Sequence, residues 1–123
     1  MTGTEVFNLT MGLIDSVSKT GVIEPSDYLG KTLLLLTVIV SEIAHLEGIA
    51  DTDDIITDLS QELVISDKAC KLVAPFGLAT QFMLADKDDS YPYFRDRYEQ
   101  LKKKIRKPAV AVAIIDVYGG DEV

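Results

Sequence analysis

The sequence predicts an all-α fold: a small four-helix bundle with an extended middle loop and an extended C-terminal arm. Three observations carry that reading. Four segments repeat apolar residues at spacings of three and four, the period of one helix face. Prolines, glycines and acidic turns separate those segments. Only the end of the chain, AVAVAIIDVY, has the β-branched run of a strand, and no partner strand lies beside it in the sequence.

The first helix lies in TEVFNLTMGLIDSVS. Val6, Leu9, Leu13 and Val17 make a stripe, with Phe7 and Ile14 beside it. Thr2 and Glu5 have the spacing of a capping box, and Gly21 lies just past the end. The second helix starts near Pro25, whose fixed φ suits a first turn, and Asp27 adds favourable negative charge there. It runs through YLGKTLLLLTVIVSEIAHLEG and stops around Gly48. Leu29, Leu33, Leu36, Val40 and Ile43 form one stripe, while Leu34, Leu35, Val38 and Ile39 make much of the rest apolar. A helix oily on most sides is buried on most sides. A chain of 123 residues has little mass with which to surround one. Neighbouring copies are therefore expected to cover part of it, with Leu35 and Ile39 as the expected subunit-interface residues. A central helix in a small bundle would give the same pattern.

From Ile49 onward the periodicity fades. IADTDDIITDLSQELVIS is acidic and reads as extended, with room for a short β-hairpin around residues 59–61. A third helix begins after Ser66, a good N-cap, and continues through DKACKLVAPFGLATQFMLAD. Pro75 removes a backbone donor and clashes with the preceding turn, so it should kink or split this helix. Residues 86–89 make a polar turn. The fourth helix starts near Pro92 and reads YFRDRYEQLKKKIRK, with Phe94, Tyr98, Leu101 and Ile105 as a narrow stripe and Glu99 with Lys103 as an i,i+4 pair. Pro108 ends it. The expected division is a helical domain over residues 1–107 and an extended arm over residues 108–123.

Charge narrows the function classes. The net charge is −8 and the sequence pI is near 4.5, which argues against a general grip on nucleic acid, since that needs a basic surface. The charge is uneven. Residues 1–94 hold 15 acids against 5 bases, and residues 95–123 hold 5 against 7, so the end of the chain suits an acidic partner or a neighbouring copy. Cys70 is the only cysteine, so no internal disulfide can form and the chain fits a reducing compartment. MTGTEVFNL lacks the cationic start of a secretory signal. The most apolar run, LLLLTVIV, is shorter than the roughly 20 residues that cross a bilayer, so a soluble protein without membrane contact is expected.

Candidate chemistry is thin. Counted from Asp51, a calcium loop would have Asp53 at its third position and Glu62 at its twelfth. It fails at Ile55 and Ile56, where an oxygen ligand and a glycine turn are needed, so a solvated acidic loop is the better reading and no metal is expected. His45, the only histidine, sits where a helix end favours a positive or neutral donor. No nucleophile and orienting group accompany it. Cys70 alternates with Leu72 and Val73 and reads as a small core residue. Gly119 and Gly120 follow a strand-like run, but no helix follows to present its amides to a phosphate. Residues 102–107 are basic but lack interleaved aromatics, and cations are favoured at a helix C-terminus in any case. No catalytic residue and no cofactor is expected.

The terminal run is the exception. AVAVAIIDVY is too apolar for a solvated end. It either folds back as an edge strand on the middle segment or adds to a sheet or groove on another chain, where backbone hydrogen bonds give affinity and alternate side chains give specificity.

Taken in order, several segments resemble the small head–tail connector proteins of tailed bacteriophages, also called adaptor or head-completion proteins. These are MTGTEVFNLTMGLIDSVSKTGVI, DYLGKTLLLLTVIVSEIAHL, LVAPFGLATQFMLADKD, YFRDRYEQLKKKI and the terminal IIDVYGG. The resemblance covers nearly the whole chain, and its specificity lies in the order of the segments. It implies a non-enzymatic virion protein that forms a homo-oligomeric ring, commonly a dodecamer, under the portal vertex. Such a ring prolongs the DNA channel and receives a tail-side neck component such as a stopper or terminator protein. It implies the virion neck as the final location, after assembly in the host cytoplasm. DNA would pass through without sequence-specific binding. The portal-docking arm would comprise Val110, Val112, Ile114, Ile115, Val117 and Tyr118. The acidic loop, with Asp51, Asp53, Asp54 and Asp58, would face the channel or the next ring. A reading from another class is a small acidic regulator or inhibitor that binds a protein through the same arm.

Overall fold

The computed structural model describes residues 1–17, 24–49 and 55–105. Among them are five helical segments: α1 (Gly3–Val17), α2 (Ser26–Leu46), α3 (Asp67–Leu72), α4 (Ala74–Asp86) and α5 (Tyr91–Lys103). The architecture is the expected all-α bundle. The third expected helix is split into α3 and α4 at Val73, which leaves Pro75 in the first turn of α4, where its missing N–H costs nothing.

The termini of the helices follow the local chemistry. At α1 the capping box closes: the Thr2 amide donates to Glu5 Oε1 at 2.9 Å, and the Glu5 amide donates to Thr2 Oγ1 at 3.3 Å. Gly48 adopts φ +76° and stops α2, with the Ile49 amide reaching back to the Ala44 carbonyl at 2.9 Å. Ser66 caps α3 by accepting from the Ala69 amide at 3.1 Å. Its amide and hydroxyl in turn donate to the two Glu47 carboxylate oxygens at 3.0 and 2.6 Å, which ties the end of α2 to the start of α3.

Among the described residues, the middle segment does not form a hairpin with itself. A turn does occur there, with the Gln61 amide donating to the Asp58 carbonyl at 3.1 Å and Asp58 Oδ1 accepting from the Ser60 amide and hydroxyl, both at 2.8 Å. The residues after Asp58 pair instead with the start of the chain. The Thr4 amide donates to the Leu59 carbonyl and the Leu63 amide to the Met1 carbonyl, each at 2.9 Å, around a single antiparallel bridge between Thr2 and Glu62. The Met1 ammonium adds contacts to Asp67 at 2.8 Å and Glu62 at 3.2 Å.

The central helix is α4, not α2. It packs against α1, α2, α3 and α5. Ala74, Gly77, Leu78, Ala79, Thr80, Phe82 and Met83 are all buried along it. Small residues make this possible, because they let neighbouring backbones approach. The tightest approach is at Gly77, where an added Cβ would lie 2.7 Å from Tyr98 Cε1 and 3.0 Å from Ile39 Cδ1. Tyr98 is itself buried and its hydroxyl is fixed, so its ring has little room to move. Gly77→Ala is therefore expected to destabilise the subunit by roughly 1–2 kcal/mol: overpacking costs about 1–3 kcal/mol, and removing a helical glycine returns up to about 1. The urea midpoint against wild type is the measurement.

The apolar faces are rotated from those the stripes suggested. In α1 the buried side is Val6, Phe7, Thr10, Met11 and Ile14, while Leu9 is exposed. In α2 it is Tyr28, Thr32, Leu36, Ile39, Val40, Ile43 and Ala44, with Leu29 left exposed and Leu33 half-buried. Buried threonines are tolerated because each hydroxyl donates to the carbonyl four residues back: Thr10 to Val6 at 2.8 Å, Thr32 to Tyr28 at 2.6 Å and Thr80 to Phe76 at 2.7 Å. In α5 the stripe falls where expected, with Phe94 and Tyr98 buried and Leu101 half-buried; the helix ends at Lys103, short of Pro108, and Ile105 lies half-buried just beyond it.

With 21 residues and a mean hydropathy of 1.6 in its most apolar window, α2 meets the length and composition of a membrane span, which the LLLLTVIV run alone does not. In the bundle its inner side is packed into the core, and its other side is open.

Candidate functional site

The open side of α2 carries the most exposed large apolar side chains of that helix. Leu34 is 71% exposed and Val38 is 62% exposed, and they stand one turn apart on one face. Asp27, Lys31, Ser41 and His45 continue the same line at spacings of three and four, so the apolar pair sits within a polar frame. The middle segment is tied to the same helix. Thr37 Oγ1 accepts from the Ile56 amide at 3.0 Å while donating to the Leu33 carbonyl at 2.8 Å. That bond holds the segment beside α2, with Ile56 turned into the core and Ile55 left 65% exposed. Leu34 and Val38 thus stand in water on the outer line of α2, and Ile55 is exposed on the segment that Thr37 holds.

Two expected interface residues move. Ile39 is 2% exposed and belongs to the subunit's own core, against Gly77 of α4, so it is not an interface residue. Leu35 is half-buried and packs against the same core. Both lie toward the inner side of α2, about 100–140° around the axis from Leu34. The exposed pair was legible in the sequence: the polar residues Asp27, Lys31, Ser41 and His45 trace the outward line, and Leu34 and Val38 interrupt it.

Of the acidic loop, Asp58 is exposed, and the bonds from Ser60 hold its carboxyl below the usual range. Asp51, Asp53 and Asp54 lie outside the described residues, as do the arm residues Val110, Val112, Ile114, Ile115, Val117 and Tyr118. His45 is exposed in the last turn of α2. Cys70 is fully buried, and burial pushes its thiol up to about 11, the environment of a packing residue. Among the described residues no group of His, Cys, Asp and Glu is arranged to hold a metal ion.

A polar network closes the junction of α2 and α5. The Tyr98 hydroxyl donates to Glu42 Oε1 at 2.6 Å, and the Lys102 ammonium lies 2.7 Å from Glu42 Oε2 and 3.0 Å from Glu99. The same ammonium stands 4.5 Å over the Tyr98 ring. Burial alone would raise the Glu42 carboxyl, but the bonds from Lys102 and Tyr98 outweigh it and leave the group below its ordinary value. Its contribution to stability is then complete above the unfolded carboxylate pKa and lost as the pH falls through the lower folded value. Glu42→Gln is expected to cost no more than about 1 kcal/mol at neutral pH. The gap in urea midpoint between the variant and wild type should shrink as the pH is lowered below 4.5, the ordinary glutamate value. A gap that stayed constant would mean that the charge on Glu42 contributes nothing.

A groove lies at the end of the bundle where α2, α3 and α5 meet. Its volume is about 420 Å³, and its apolar wall is Ala69, Leu72, Val73, Leu101 and Ile105. Leu72 is 51% exposed there. Lys68 and Lys104 stand on its rim, and the Glu47 carboxylate is already engaged by Ser66.

Comparison of the chain with protein-family models, with curated proteins and with solved structures returns no significant match.

Proposed function

We propose that this chain is a non-enzymatic structural subunit that assembles with copies of itself through the outer face of α2. In this reading the assembly is the ring of a head–tail connector of a tailed bacteriophage, between the portal and a tail-side neck protein. The observation that carries the assembly step is the pair of exposed apolar side chains, Leu34 and Val38, on the outer line of α2. A ring covers such a face on every subunit at once, because each copy meets a neighbour by the same rotation. The virion setting comes from the order of segments that resembles the connector family. The negative net charge suits a channel wall, since a basic lining would hold phosphates and slow the passing DNA.

Two measurements test the two steps separately. Sedimentation velocity and electron microscopy of the full chain, alone and with portal, should give ring-sized particles; a subunit that stays monomeric under both conditions overturns the assembly step. Deleting residues 108–123 should leave the helical domain folded by circular dichroism and abolish attachment to DNA-filled heads. Truncated protein that still completes heads rules out the docking role of the arm.

A further inference from the structure

Ile105 is itself part of the wall of the groove between α3 and α5. We propose that the apolar segment at residues 109–118 of the same chain occupies this groove whenever no external partner holds it. The inference does not rest on the ring reading, since a lone subunit and a ring member can each hold their own arm.

Four features select this occupant. The wall is apolar, with Ala69, Leu72 and Val73 on one side and Leu101 and Ile105 on the other, and 420 Å³ falls within the roughly 300–1,000 Å³ of pockets that hold ligands. Reach is short. Only residues 106–108 separate Ile105 from Ala109, a span of at most about 3.3–3.6 Å per residue. A segment on so short a tether has an effective concentration on the order of millimolar, well above what the same segment on a separate molecule supplies in dilute solution. The sequence has the right alternation, because in an extended run Val110, Val112 and Ile114 share one side and three alanines share the other. Charge agrees as well: Lys68 and Lys104 stand on the rim, and Asp116, Asp121 and Glu122 follow in the arm. Seated there, the arm covers both Leu72 and its own apolar run. Docking on another protein then becomes an exchange of one apolar groove for another.

The chain has no tryptophan, so Leu72→Trp puts a single reporter at the groove of the full-length protein. Its emission is expected at shorter wavelength than in a chain that also carries Val112→Asp and Ile114→Asp. Far-UV circular dichroism should be the same for both. The control is Leu84→Trp, exposed near the far end of α4 and about 15 Å along that helix from Ala74; its emission should not respond to the two aspartates. The shift at position 72 should also persist on dilution. Equal emission with and without the aspartates overturns the proposal, as does an equal shift at position 84. A shift that vanishes on dilution assigns the groove to the arm of a second copy and overturns occupancy by the same chain.

Discussion

Ile39→Asp should leave no stably folded subunit under native conditions. Ile39 is 2% exposed, and its Cδ1 faces the point where α2 passes Gly77 of α4. Two costs combine there. Removing most of a buried isoleucine costs about 2–5 kcal/mol in lost transfer energy and cavity. An aspartate left in that place must either stay charged without a partner or bind a proton at neutral pH, and either adds several kcal/mol. Small domains hold only about 5–15 kcal/mol in total, so the sum takes most or all of the margin. The expected result is a lost or shallow urea transition by circular dichroism. A cooperative transition near the wild-type midpoint would mean that Ile39 is not in the core.

Leu34→Asp with Val38→Asp should do the opposite. Both side chains are mostly in water in the subunit, so replacing them changes its stability by no more than about 0.5 kcal/mol each. In an assembled ring they would bring aspartates from every copy into a dry seam, where unpaired charge costs several kcal/mol per contact. Self-association should therefore disappear while the urea midpoint barely moves. If sedimentation of the double variant matches that of an assembling wild type, the contact lies elsewhere. Ile39 and Leu34 stand five residues apart on one helix, so the pair of experiments separates folding from assembly on a single element.

Much of the bundle was legible because local chemistry and tertiary structure agree. The capping box at Thr2 and Glu5, the stop at Gly48, the break ahead of Pro75 and the Phe94–Tyr98 stripe each depend on residues close in sequence. What failed to show was whatever depends on distant partners. Hydropathy pointed to α2 as the central helix because it counts leucines. The centre went to α4, where Gly77 and the neighbouring alanines let several helices approach together. The turn at Asp58 was readable, but its pairing with Met1 and Thr4 was not, since nothing local marks the start of the chain as the partner. The exposed pair Leu34 and Val38 was legible as apolar residues in a polar line, whereas the bond that ties the middle segment to α2, from Ile56 to Thr37, was not.

The packing of Cys70 has a practical corollary. A thiol with that environment is almost entirely protonated at neutral pH and shielded from reagents, so maleimides and nitroxide labels should pass it by. A second cysteine placed anywhere on the surface would then be the single handle for spin-label or dye attachment. In the proposed assembly, distances between subunits would then be measurable on an otherwise native background.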